Sequence, residues 1–123
     1  MSDIFKDVDG QSEEQLQQKC VFWFHNEYPE LRGCLFHVPN GGARTGREGA
    51  KFKKIGVYPG VSDLILLYNQ EAILFELKDN KGRQSKKQKE WEETMRKQGF
   101  SYVLIRKLSD FKKSIKATIE EMV

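Results

Sequence analysis

The strongest constraint on this chain is a pair of apolar runs joined by a very short connection. Asp63–Tyr68 and Ala72–Lys78 read as strands, with only Asn69-Gln70-Glu71 between them. Leu64-Ile65-Leu66-Leu67 is apolar at every position, so it has two faces to bury and belongs in the middle of a sheet. Asn can adopt the left-handed backbone that a tight hairpin requires.

The hairpin fixes which polar side chains meet. If Asn69-Gln70 is a two-residue turn, Tyr68 pairs with Glu71, and the same register sets Asp63 opposite Glu76. Cross-strand partners share a face. Residues two apart on a strand also share a face, so Glu76 and Lys78 point the same way, about 6–7 Å apart at Cα. Asp63, Glu76 and Lys78 therefore converge. A slip of one residue would send one set to the other face.

The flanking segments read as helices and shorter strands. Ser12-Glu13-Glu14-Gln15 is a capping-box pattern opening a helix to about Asn26. Leu16, Cys20, Trp23 and Phe24 share one face of it, and Glu13 falls in phase with that stripe. Glu14 points about 100° away. Either Glu13 merely favours the positive helix end, or it serves a site. Leu35–Val38 is a short strand ended by Pro39, followed by a glycine-rich loop from Asn40 to Gly46. A short helix spans Ala50–Ile55, with Gly56 as its stop. Ser85-Lys86-Lys87-Gln88 is a second capping box, opening a helix that ends at Gly99. Ser101–Ile105 is a strand. Ser109 is placed to cap a last helix with Phe111, Ile115 and Ile119 on one stripe.

The order is α-β-(short α)-β-β-α-β-α, an α/β fold. With 123 residues there is room for one domain: a polar segment over 1–11, expected to be loosely ordered, then a single domain over 12–123. No apolar run approaches the ~20 residues that cross a membrane. The start, Met1 to Lys6, lacks the basic-then-apolar pattern of a secretory signal. Cys20 and Cys34 form no CxxC pair and read as reduced thiols of an intracellular, cytoplasmic protein; a phage or prophage origin is left open.

Net charge is only +3, yet the cations are clustered. Lys78–Lys107 holds ten Lys or Arg against four Asp or Glu, and Arg44–Lys54 holds five against one. Two basic stretches around an acidic hairpin point to a polyanion, with solvated helix faces as the bland alternative.

Two carboxylates converging beside a lysine suit a hard divalent cation. Such a cation polarises a phosphoryl oxygen and acidifies a bound water. Lys78 could orient or deprotonate that water, or stabilise charge in the transition state. The competing reading is a surface Glu–Lys ladder, for Glu-x-Lys alone is common.

The string Gly60-Val61-Ser62-Asp63 followed by Glu76-Leu77-Lys78 resembles the PD-(D/E)XK nuclease pattern. More narrowly, the chain from about Ser12 to Arg106 resembles a stand-alone VRR-NUC domain, the virus-type replication-repair nuclease. The resemblance includes Ser12-Glu13 with Gln17 and Trp23, then Val38-Pro39-Asn40-Gly41-Gly42-Ala43-Arg44. It continues through Gly56, Ser85, Gln88-Lys89-Glu90-Trp91 and Gly99-Phe100. Each motif is weak; their order and spacing are the specific feature.

The resemblance implies a restriction-endonuclease-like central mixed sheet flanked by helices. It implies that Asp63, Glu76 and the Leu77 carbonyl bind Mg2+ or Mn2+, that Lys78 is the catalytic lysine, and that Glu13 completes the acidic cluster. Gln88 would line the site. Asn40, Arg44, Arg47, Lys81, Arg83 and Lys86 would face DNA. The implied activity is a metal-dependent DNA endonuclease, structure-selective on branched DNA such as four-way (Holliday) junctions in DNA repair, and acting as a homodimer. One departure stands out: the family usually has Pro before the metal-binding Asp, where this chain has Ser62. Proline stiffens the backbone but supplies no ligand, so activity is expected to survive.

Rivals fare less well. The Gly41–Gly46 loop lacks the Lys-Ser/Thr that a phosphate-binding P-loop needs, offering Arg47-Glu48 instead, so no nucleotide cofactor is expected. His25 and His37 are isolated and read as structural. A catalytically inactive DNA-binding module of the same fold is the main alternative, and a protein–protein adaptor using the charged helices is the other.

Overall fold

A computed structural model describes residue 7, residues 10–39 and residues 46–120, the side chains of 46–48 excepted. Its elements are α1 (Glu13–Glu27), a 3-10 turn (Pro29–Leu31), β1 (Leu35–His37), α2 (Gly46–Lys54), β2 (Leu64–Tyr68), β3 (Glu71–Leu77), α3 (Lys86–Lys97), β4 (Ser101–Ile105) and α4 (Leu108–Ile119).

The sheet runs β1-β2-β3-β4 and is mixed: the first two pairings are antiparallel, and β3 pairs with β4 in parallel. Asn69 and Gln70 both have positive φ, 51° and 67°, as a two-residue primed turn demands. Tyr68 duly pairs with Glu71, and the ladder runs on to Leu64 opposite Phe75. The parallel partner β4 needs a crossover, and α3 is that crossover. Its capping box is complete: Ser85 Oγ accepts from the Gln88 N–H at 3.1 Å, and Gln88 Oε1 accepts from the Ser85 N–H at 2.8 Å. The Ser12–Gln15 box of α1 closes in the same way, at 3.1 and 2.9 Å.

Strand alternation sorts the sheet into two faces. Leu64, Leu66, Ile73, Phe75, Leu77 and Ile105 join Leu16, Cys20 and Phe24 of α1 and Phe111 and Ile115 of α4 in the core. Burying each of these larger apolar side chains stabilises the fold by roughly 1.5–3 kcal/mol before entropy is counted. The opposite face carries Leu74, Glu76 and Tyr102, and there Trp91 of α3 meets the Tyr102 ring edge-on, centroids 6.0 Å apart. Both cysteines are free. No helix among the described residues is long and apolar enough to cross a membrane.

Three expectations shift. The short helix starts at Gly46, not Ala50, and stops at Lys54. Leu35–Val38 is strand only to His37, although the Val38 N–H still donates to the Asp63 carbonyl at 3.1 Å; Pro39 has no N–H to carry the ladder further. Ser109 does not cap α4. The helix begins two residues earlier, at Leu108, after an N-cap Lys107 that makes no side-chain cap bond. Asp7 supplies the acceptors instead, taking the Ser109 N–H at 3.0 Å and the Ser109 hydroxyl at 2.6 Å.

Candidate active site

The register of the hairpin places the polar residues. Asp63 sits one residue before β2, Glu76 is the penultimate residue of β3, and Lys78 follows its end. Asp63 Oδ2 accepts the Leu77 N–H at 2.7 Å, tying the start of one strand to the end of the other. The Asp63 carbonyl accepts from His37 Nδ1, also at 2.7 Å.

Each group is electrostatically loaded. Burial pushes the Asp63 carboxyl above its ordinary pKa; the Leu77 N–H pulls it back, the Glu76 charge pushes it up again, and the net direction is upward. Glu76 is wholly buried. Its Oε1 accepts from the Tyr102 hydroxyl at 2.5 Å and from Gln84 Nε2 at 3.0 Å. Its Oε2 is buried with no hydrogen-bond partner. Burial and the Glu76 charge drive the Tyr102 phenol pKa up, which keeps it a donor. Lys78 is 8% exposed, and its ammonium lies 3.7 Å from Glu13 Oε1.

A cleft of about 700 Å3 reaches Asp63 of this group and is lined among others by Glu13, Gln17, His37, Leu77 and Gln88; the Glu76 and Lys78 side chains are not part of its lining. Its floor depends on Gly60, at φ +87°: a Cβ there would stand 2.4 Å from the Lys87 carbonyl oxygen. No other residue lets the Pro59–Ser62 loop lie so close to the first turn of α3. Ser62 is buried, and its hydroxyl donates a long bond to the Leu64 carbonyl at 3.5 Å.

The residues expected at the site divide. Asp63, Glu76 and Lys78 gather at the hairpin's end, with the Leu77 backbone between the last two. Glu13 lines the cleft but pairs with Lys78. Gln88 lines it too; its carbonyl oxygen is taken by the Ser85 cap, so contact with a substrate falls to its amide nitrogen. Lys81, Arg83 and Lys86 are exposed around the loop before α3. Asn40 and Arg44 lie outside the described residues, as does the side chain of Arg47. Sequence reasoning missed Gln84, Tyr102, His37 and Lys87. Only the parallel register of β4 could have revealed Tyr102, and nothing local sets that register.

Among the described residues no group of three or more His, Cys, Asp or Glu side chains stands ready to hold a metal. The pair Asp63 and Glu76 nonetheless fits a hard cation. An orphaned buried carboxylate oxygen beside a second carboxylate is costly without a positive partner. Magnesium accepts one or two carboxylates and keeps several waters.

A family model described as the VRR-NUC domain matches residues 11–106. The chain belongs to the VRR-NUC family. A solved structure titled "VRR_NUC domain protein" superposes with a TM-score of 0.76 at 25% identity, covering 92% of each chain. A search of curated proteins finds no match. The VRR-NUC match spans the hairpin, the Gly60 loop and both capping boxes, so the nuclease-type fold and the polar cluster described above belong to one unit.

Proposed function

We propose that this VRR-NUC domain is a metal-dependent endonuclease that hydrolyses DNA phosphodiester bonds, selectively on branched DNA such as four-way junctions. The observation that carries the reading is Glu76 Oε2, fully buried and without a partner, beside an Asp63 carboxyl already pushed upward in pKa.

Asp63, Glu76 and the Leu77 carbonyl would hold Mg2+ or Mn2+. Such an ion, when bound, polarises a phosphoryl oxygen and acidifies a water. Asp63 is held for this by the Leu77 N–H. Lys78, 3.7 Å from Glu13 Oε1, would place a positive charge where the attacking water and the phosphoryl oxygens meet. Gln88 offers its amide nitrogen to the same cleft. Lys81, Arg83 and Lys86, exposed on the approach to α3, would take the DNA backbone, together with Asn40, Arg44 and Arg47.

A homodimer would repeat the cleft about a two-fold axis, matching the symmetry of a four-way junction. Light scattering at micromolar concentration should give twice the chain mass, and a monomer would remove the argument for paired cuts.

The deciding experiment is cleavage of labelled junction, flap and duplex DNA with Mg2+, Mn2+ or EDTA, beside Lys78→Ala. Metal-dependent cutting that the variant loses, fastest on the junction, is expected. Salt-sensitive binding with no cutting in either metal would make the domain an inactive DNA-binding module.

A further inference from the structure

Glu76 is held in a closed ring of hydrogen bonds, all between side chains except one to the Tyr102 backbone carbonyl. Its Oε1 accepts from Gln84 Nε2 at 3.0 Å, and the same Nε2 donates to Glu92 Oε1 at 2.7 Å. Glu92 Oε2 accepts from Arg96 Nε at 2.7 Å. Arg96 Nη2 donates to the Tyr102 carbonyl at 2.9 Å, and its guanidinium carbon lies 5.8 Å from the centre of the Tyr102 ring. The Tyr102 hydroxyl closes the ring on Glu76 Oε1 at 2.5 Å. Tyr102 pairs with Leu74, two residues from Glu76, so it reaches along the strand diagonal.

The donors are distributed unevenly. Two converge on Oε1, while Oε2 has none although it is equally out of solvent. A ring that served only to solvate a buried carboxylate would supply both oxygens, because each bare one carries a desolvation cost. A ring that orients a ligand would secure one oxygen and leave the other open. Groups that hydrogen-bond a metal-binding side chain fix its orientation in this way.

We infer that Tyr102 and Gln84 are positioning residues that grip Glu76 by Oε1 and present Oε2 to the divalent cation. The inference rests on the reading of Asp63 and Glu76 as metal ligands. Arg96 and Glu92 act at one remove, keeping Gln84 and Tyr102 in place.

The test is Mn2+ binding to the whole protein by calorimetry, with metal-dependent cleavage measured in parallel. Tyr102→Phe and Gln84→Met should each weaken Mn2+ by about tenfold or more. Excess Mn2+ should return kcat to within about threefold of the parent, since the affected step is metal capture. A merely structural defect would not be repaired by metal. Tyr28→Phe removes the hydroxyl of another buried tyrosine, bonded to Glu120, and should leave Mn2+ affinity unchanged. If Tyr102→Phe fails to melt cooperatively, Gln84→Met decides. Mn2+ binding that Glu76→Gln abolishes, but that both ring variants keep within about twofold, would overturn the inference and leave the metal site standing. No Mn2+ binding by the parent protein would overturn both.

Discussion

The Leu77 N–H donates to Asp63 Oδ2 at 2.7 Å, so the strand that delivers Glu76 also orients the other carboxylate. Burial, with the charge of Glu76 added to it, raises the Asp63 carboxyl in pKa although the Leu77 N–H pulls the other way. A raised acid pKa means the folded state binds its proton more tightly than the unfolded chain. The charged form then opposes folding above that pKa, and the penalty fades as pH falls toward the ordinary value of 3.8.

Asp63→Asn should therefore separate stability from activity. Asparagine keeps an acceptor for the Leu77 N–H and removes the repulsion from Glu76. Its melting temperature at pH 7 should rise by a few degrees, and the gap to the parent should close in acid. Cleavage should fall by about 100-fold or more. A lower melting temperature at neutral pH would contradict the electrostatic account.

Lys78→Ala should abolish cutting and leave junction affinity nearly intact. Lys78 is 8% exposed and its ammonium lies 3.7 Å from Glu13 Oε1, so it would meet the scissile phosphate alone while the exposed cations carry the rest of the DNA backbone. Gel-shift titration should give a Kd within about threefold of the parent, well short of what loss of a phosphate-binding cation causes in several contacts. A variant that cuts at near-normal kcat would remove Lys78 from the chemistry.

Gly60→Ala should be a costly single methyl. The new Cβ meets the Lys87 carbonyl at 2.4 Å, and φ is already in the left-handed range. A loss of about 1–3 kcal/mol in urea denaturation is expected. Cleavage should also drop, because relief requires the loop before Asp63 to move off α3.

Asp7 gives a pH dependence of opposite sign. Slight burial pushes its carboxyl up, but the Ser109 hydroxyl and N–H and the Lys107 charge outweigh this and leave it lowered. Its stabilising effect is present above the ordinary value of 3.8 and disappears as pH falls through the lower folded value. Asp7→Ala should cost about 0.5–2 kcal/mol at pH 7, as loss of a helix cap does. Chemical denaturation of the two proteins should become indistinguishable once Asp7 is protonated. A constant difference at all pH values would show that the carboxylate is not the cause.

The hairpin was legible because its register is local. One two-residue turn determined the pairing from Tyr68 and Glu71 up to Leu64 and Phe75, one step short of Asp63 and Glu76, and both capping boxes were equally short-range. What escaped sequence reading depends on partners far along the chain. Tyr102 reaches Glu76 through a parallel pairing that a helix separates from β3. Asp7 caps a helix a hundred positions away, which made Ser109 look like its own cap. Glu13 shows a middle case: helical phase put it on the inward side, but the choice between a metal and Lys78 as its neighbour lies in three dimensions.

Helix α3 has no wholly buried residue. It rests on its Ser85 cap, the Trp91–Tyr102 contact, the Glu92–Arg96 pair and the bonds to Gln84 and the Tyr102 carbonyl, with no buried apolar anchor, so it should be among the first cooperative units to open in native-state hydrogen exchange. Gln84 adjoins that helix, and Glu92 and Arg96 lie within it, so each opening loosens the grip on Glu76. Occupancy of the carboxylate and protection of the α3 amides are thus thermodynamically linked, and a bound cation should slow exchange along a helix it never touches.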